Sequence, residues 1–422
     1  MKRSCPVVGI DVGKEFSYYC VFSPDGEIHL KPFRADNNNT GLSMVVQKIK
    51  KVAETFGTNP AIVLESTGHY SLRLVHLFIR EDFKVYLINP LQSNSNKGSS
   101  IRKVKTDKLD CMKLAALFFQ LDLKEFNMGD YNLANLKILT RAYHHLAQQR
   151  TKNINQLVAN VDQVWPGFTK IFKDPAGKTA LCFLLQYPSP ACFLKEDPKE
   201  VITLIMSESK RGQAYAAKKY ELLAQCAKDA LNIGIQMEGF FSCIEVYATS
   251  VQQINDQLTK MEASIEKLAI TIPNVELLKS IPGIGEKLAP VIAAEIGDIQ
   301  RFKNAKQLVA YCGVDPSVRQ SGNFVGTHNK LSKRGSPYVR KALYIAATVA
   351  IRKDKKGKCV NPVIYDYYHE KTKSKPKKKA LGAIMNKLIR IIFSVLKNER
   401  AFILITPEEQ RKLYAMRLNR VA

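Results

Sequence analysis

Four carboxylates stand where they could do chemistry together. Asp11 ends the apolar run Val7-Val8-Gly9-Ile10, and Glu65 ends a second one, Ala61-Ile62-Val63-Leu64. Both runs read as buried strands. Asp107 and Asp110 are three apart at the start of a helical stretch, so both project from one face of its first turn. Singly, each acid has an ordinary explanation: a strand-ending Asp is a solvated turn residue, and the helix macrodipole favours acids in a first turn. Converging, the four would repel and raise one another's pKa unless cations neutralise them. Mg²⁺ fits, with Mn²⁺ as a substitute, because it is hard, oxygen-ligated and bound through few carboxylates plus substrate phosphate. Two such ions would activate an attacking oxygen and stabilise a leaving one in phosphodiester displacement.

The elements that must position these acids are legible around them. Val7 to Phe33 reads as three antiparallel strands, with Pro24-Asp25-Gly26 as the hairpin signal and Gly13 letting backbone approach whatever Asp11 faces. Thr40 to Phe56 carries helical spacing with Thr40 as N-cap. A helix over Tyr70–Arg80 and a strand over Phe83–Ile88 follow the Glu65 strand. Three antiparallel strands and then helix–strand–helix–strand predict a mixed α/β sheet with helices on its faces. Leu91 to Thr106 has loop composition and holds Lys97, Arg102, Lys103 and Lys105 with no acid, a candidate for nucleic-acid contact.

The runs Gly-Ile-Asp-Val-Gly-Lys, Leu-Glu-Ser-Thr-Gly and Lys-Thr-Asp-Lys-Leu-Asp, in that order, resemble the DEDD transposases of bacterial insertion sequences. Those recombinases have a RuvC-like (ribonuclease-H-like) N-terminal domain and are guided by a bridge RNA. The resemblance places the family's four metal-binding acids on Asp11, Glu65, Asp107 and Asp110. Cys111 stands where Ala is more usual. A C-terminal counterpart begins at Gln320-Ser321-Gly322 and continues through Ser332-Lys333-Arg334-Gly335 into an Arg340-containing helix. The resemblance makes Ser321 the nucleophile that joins the DNA strand covalently to the protein. Arg319, Lys330, Lys333 and Arg334 are then the nearest groups to orient it or clamp phosphate, and Arg340 is a further candidate nucleic-acid contact. The resemblance implies donor and target DNA and a structured non-coding RNA. Ser321 lies some 200 residues from the acids with a helical seam between them, so a site shared within a homo-oligomer, dimer or tetramer, is as easy to build as one within a chain. The resemblance covers roughly residues 5–121 and 275–396.

Composition agrees with a polyanionic partner. The chain of 422 residues carries a net charge of +26, which points to nucleic acid. Between Ser321 and Lys379 there are 16 Lys/Arg against three Asp/Glu, a surplus concentrated in Arg352–Lys358 and Lys371–Lys379. The length calls for two or three domains. Nine scattered cysteines without a C-x-x-C pair read as reduced thiols. The absence of a membrane-length apolar run or a leader pattern leads us to expect a soluble, cytoplasmic protein. Three other classes share some features. An actin-like sugar kinase shares the Gly-Ile-Asp-Val-Gly opening but repeats it in a second domain, and no second copy is present. A non-enzymatic nucleic-acid scaffold leaves four acids as electrostatic cost. A RuvC-like nuclease using water does not need Ser321.

Between the two ends, Leu133–Val164 reads as a helix stopped by Trp165-Pro166-Gly167. Residues 168–240 read as short helices broken by prolines, with no assigned site. Val251, Ile254, Leu258, Met261, Ile265 and Leu268 form a heptad seam, for packing on the chain's own domain or for dimerisation as a coiled coil. Leu277–Ala289 resembles a helix-hairpin-helix DNA-backbone binder, with Gly283, Gly285 and Lys287 as phosphate contacts. Phe302–Tyr311, Gly335–Ala350 and Ala380–Leu396 complete a mostly helical C-terminal region. The expected domains are a catalytic α/β domain over 1–125, a helical coiled-coil linker over 126–271, the serine-bearing domain over 272–400 and a tail over 401–422.

Overall fold

In a computed structural model the chain forms two compact units, Met1–Met128 and Gly129–Ala422. The structure describes residues 5–65, 70–88, 107–123, 125–126, 131–317, 330–405, 408–409 and 412, with 320–321 and 324–325 as backbone only.

The first unit is a five-stranded sheet in the order β3-β2-β1-β4-β5. Its strands are β1 (Val7–Val12), β2 (Phe16–Phe22), β3 (Ile28–Asp36), β4 (Ala61–Glu65) and β5 (Val85–Ile88). β1–β2–β3 are antiparallel neighbours, while β4 and β5 add in parallel beyond β1, so the architecture is consistent with a ribonuclease-H-like fold. Strand alternation sorts the side chains. Val8, Ile10, Ile62 and Leu64 join the core under α1 (Asn39–Phe56) and α2 (Tyr70–Arg80). Val7, Cys20, Ala61 and Val63 join the opposite core under α3 (Asp107–Gln120). The N-cap of α1 is Asn38, whose Oδ1 accepts Gly41 N at 2.8 Å, not Thr40 as expected. Asn and Thr are both good caps, so the spacing could not separate residues two apart. β3 runs three residues past the expected Phe33.

In the second unit, α4 (Tyr131–Val164) and α10 (Glu238–Ala269) lie antiparallel. Tyr143 Oη donates to Glu262 at 2.6 Å and Arg150 Nε to Asn255 at 2.5 Å, so paired residue numbers sum to a constant. The heptad seam of α10 therefore packs in part within the chain: Val251 is fully buried and Leu258 nearly so, while Ile254, Met261, Ile265 and Leu268 are half-buried. At one end of the pair, α5 (Phe168–Ile171), α6 (Lys178–Gln186), α7 (Pro190–Phe193), α8 (Pro198–Ser209) and α9 (Gln213–Ile233) close a core around Trp165, Phe168, Phe183 and Phe193. α9, at 21 residues, is longer than the short helices expected. Its buried stripe includes Ala216, Ala227 and Ala230, too small to give a strong periodic signal. At the other end a second core joins α11 (Pro273–Lys279), α12 (Leu288–Ile296), α13 (Ala305–Tyr311), α14 (Pro337–Ala350), α15 (Pro362–Ser374) and α16 (Lys377–Asn398). No helix among the described residues is long and apolar enough to cross a membrane.

Candidate active site

The parallel ladder sets Ile10 opposite Leu64, which leaves Asp11 and Glu65 side by side at the carboxyl ends of β1 and β4. By alternation both share the parity of Gly9 and Val63, the face covered by α3. That helix starts at Asp107 and buries Cys111, Leu114, Ala115, Leu117 and Phe118 against the sheet. It comes down directly on β1: a Cβ at residue 9 would lie 2.2 Å from the carbonyl oxygen of Cys111 and 2.9 Å from Ala115. Only glycine allows this approach, and it brings Asp107 and Asp110 to the strand ends. The expectation had given this role to Gly13. A Cβ there would instead meet Phe16 O at 2.3 Å, so Gly13 serves its own tight turn.

The four carboxylates line one cavity of about 510 Å³ with Lys14, Glu15, Tyr18 and Lys113. Asp110 pairs with Lys113 at 3.0 Å, while Asp107 is exposed. Among the described residues no three His, Cys, Asp or Glu side chains already stand close enough to hold an ion between them. The acids rim a cavity rather than close on one point. Such a donor set fits a hydrated hard cation that keeps waters and shares substrate phosphate. Cys111 is a poor nucleophile, because its hydrogen bond with Cys20, its burial and the charge of Asp11 all raise its pKa. Sequence reasoning missed Asn37. Its Nδ2 donates to Gly13 O at 2.9 Å and its Oδ1 accepts Ser17 Oγ at 3.0 Å, pinning the turn that forms the cavity wall. An Asn one residue past a strand looks like any turn residue, so no sequence signal marked it.

Comparison with known proteins identifies the architecture. A transposase model for DEDD elements of the IS110 type matches residues 8–166, and a second, for the transposase IS116/IS110/IS902 family, matches residues 275–368. The chain belongs to the IS110/IS116 transposases. The transposase is 24% identical to an uncharacterised 43.6 kDa protein of insertion element IS110 from Streptomyces coelicolor, over 93% of this chain and 94% of that one. It is 22% identical to its IS116 counterpart from Streptomyces clavuligerus, over 96% and 97%. A pilin gene-inverting protein from Moraxella bovis is 30% identical over 36% of this chain and 47% of its own.

The other singled-out residues lie in the second unit of the transposase or outside the described residues. Lys97, Arg102, Lys103, Lys105 and Arg319 fall outside them. Ser321 is in β6 (Gln320–Ser321), paired antiparallel with β7 (Phe324–Val325) across from Phe324. This short two-stranded pairing is closed further back by a Pro316–Leu331 bridge. Lys330, Lys333 and Arg334 are exposed. Arg340 spends one guanidinium nitrogen on Gly335 O at 3.1 Å and Cys312 O at 3.4 Å. Gly335 is pressed against Tyr311 O, 1.9 Å from where a Cβ would be, which anchors the basic Ser-Lys-Arg-Gly segment. Gly283 packs on Ala346 and Ala350 of α14, whereas Gly285 faces open space. Lys287 is paired with Glu262 at 2.5 Å. The Leu277–Ala289 turn thus has a packing role that accounts for Gly283.

Proposed function

We propose that this transposase cuts and rejoins DNA strands with Asp11, Glu65, Asp107 and Asp110 as ligands of Mg²⁺ and Ser321 as nucleophile. The observation that carries the reading is the register that sets Asp11 beside Glu65 on the sheet face covered by the helix of Asp107 and Asp110. When bound, the metal supplies charge neutralisation and Lewis-acid activation at the scissile phosphate. The chain's own groups do the rest. The strand ends and the first turn of α3 hold the acids on rigid backbone, Asn37 fixes the cavity wall, and Lys113 balances part of the charge at Asp110. Ser321 Oγ gives its proton to water as its bond to phosphorus forms, and the leaving sugar oxygen takes one up from water as its bond to phosphorus breaks, becoming a free hydroxyl. The phosphodiester is thereby conserved as a protein–DNA ester, which a freed DNA hydroxyl can attack to rejoin strands without external energy.

The charge of +26 supports a large nucleic-acid partner. A structured RNA from the element that pairs with donor and target DNA would supply sequence choice, leaving the protein to hold backbone and shape. Sequencing of RNA that co-purifies with the protein tests this part, and normal DNA recognition by RNA-free protein would refute it. The chemistry is tested by a denaturing gel for covalent protein–DNA adduct. Wild type gives an Mg²⁺-dependent adduct, Asp11→Ala loses cutting, and Ser321→Ala binds DNA but forms no adduct. Mixing the two inactive variants restores activity if the site is shared between subunits. Cutting by Ser321→Ala at the normal rate would transfer the nucleophile's role to water.

A further inference from the structure

Between Arg352 and Lys379 eleven basic residues meet three acids, and the fold gathers them on adjoining elements. Arg352 to Val360 is a tight hairpin, closed by Val360 N donating to Arg352 O at 3.0 Å and by a Lys353–Cys359 bridge. Its acid does not neutralise its lysines. Asp354 Oδ1 accepts the backbone amides of Lys356 at 2.8 Å and Lys358 at 2.9 Å. Lys353 Nζ sits 5.1 Å from the Tyr365 ring centroid, which ties the hairpin to α15. The second tract leaves α15 at Lys371 and Lys373 and enters α16 at Lys377, Lys378 and Lys379. Ten of the eleven cations are exposed, Lys371 being half-buried. Among the described residues the stretch has one ion pair, Lys371–Glu370 at 3.6 Å.

Stability does not account for this arrangement. Lysines at the C-terminal end of α15 suit its dipole, but three in the first turn of α16, with no acid there, are at the end that disfavours cations. Ten of the eleven are Lys rather than Arg, point charges suited to phosphate and poor at the bidentate reading of guanine. The aromatic residues among them are not free platforms for splayed bases. Tyr365, Tyr367 and Tyr368 are half-buried, and Tyr367 is covered by Lys371 at 5.0 Å and Lys387 at 4.3 Å. The family match ends at residue 368, so the Lys371–Lys379 tract lies beyond it.

We infer that this face holds the phosphate backbone of duplex DNA without reading its sequence, apart from the groups that carry the chemistry. The occupant follows from the charge, the lysine content and the lack of an exposed tyrosine ring, together with the DNA that a transposase must hold. It does not depend on the roles of the four acids or Ser321.

The test compares full-length wild type with Lys377→Ala/Lys378→Ala/Lys379→Ala and with the matching triple Arg variant. Binding to a duplex of unrelated sequence and to a structured RNA hairpin is measured across a salt series. The Ala variant should lower the slope of log affinity against log salt on duplex DNA by about 2–3, near 0.9 per lost phosphate contact. Its affinity loss between about 50 and 200 mM salt should then be roughly fortyfold smaller than that of wild type. The Arg variant should restore the slope. An unchanged slope on duplex DNA overturns the inference, and a change confined to the RNA reassigns the face to RNA and equally overturns it. Adduct formation at saturating DNA should be unaffected, so its failure in wild type would count against the serine mechanism and not against this face.

Discussion

The acids of the N-terminal unit are carried by strand ends and by a helix pressed onto them, whereas the lysines of residues 352–379 stand on a hairpin and on helix ends in water. Both groups concentrate like charge, but they differ in how that charge is held. Asp11 and Glu65 cannot swing apart without breaking the β1–β4 ladder, and α3 cannot lift away without uncovering Cys111, Ala115 and Phe118. On the proposed reading, that fixed placement leaves their mutual repulsion for a bound cation to relieve. The lysines have long stems and open solvent, so their repulsion is spread and screened. Fixed charge suits chemistry on one phosphate, and loose charge suits holding many.

The sharpest way to break the comparison is at the fixed end. Asp11→Ala should lower strand cutting by roughly 10²–10³-fold or more, read in a nicking assay, with duplex affinity at the lysine face retained. Gly9→Val tests the rigidity itself. Its side chain would run into the backbone of α3, so the N-terminal unit should lose about 3 kcal/mol or more, measured by denaturation. Gly285→Ala, where nothing lies within 4 Å, should be close to neutral.

A buried charge in the second unit sharpens the contrast. Glu295 is 1% exposed and takes a bidentate contact from Arg141 at 2.6 and 3.0 Å. Arg141→Ala should cost about 3 kcal/mol by leaving that carboxylate unpaired. Trp165, the one tryptophan of the chain, lies in this unit and reports its unfolding. Burial pushes the Glu295 carboxyl up, but hydrogen bonds from Arg141 and Ser336 and the charge of Lys137 outweigh it and hold the pKa below the usual carboxylate value. The pair's contribution is therefore full above the unfolded-state pKa and is lost as pH falls through the lower folded one. The acid limb of the stability profile should flatten in Arg141→Ala. A small effect is also expected at Lys113→Ala, whose half-exposed pair with Asp110 should contribute under about 1 kcal/mol.

Much of this was legible in the sequence where the signal is local. The apolar runs ending in Asp11 and Glu65, and the helix opened by Asp107, occupy the places their patterns predicted. What the pattern could not give was contact across the sheet. Gly9 looks like any strand glycine until α3 is laid on it, and Asn37 looks like a turn residue until its amide reaches Gly13. The α10 seam had the right period, but periodicity does not say whether the partner helix belongs to the same chain. In α9 the buried alanines left too little contrast to define a long helix.

Cation binding at the acidic cavity tests the central claim most directly, and it needs no nucleic acid. Hydrogen exchange of β1 and β4 amides is followed while Mg²⁺ or Mn²⁺ is added to wild type, Asp11→Ala and Glu65→Ala. A cation that relieves the repulsion should protect those strands in wild type, by the linkage expected of any ligand that binds the folded state. Either substitution should abolish that gain. Strands equally protected in wild type and both variants, or protected in none of them, would contradict the account.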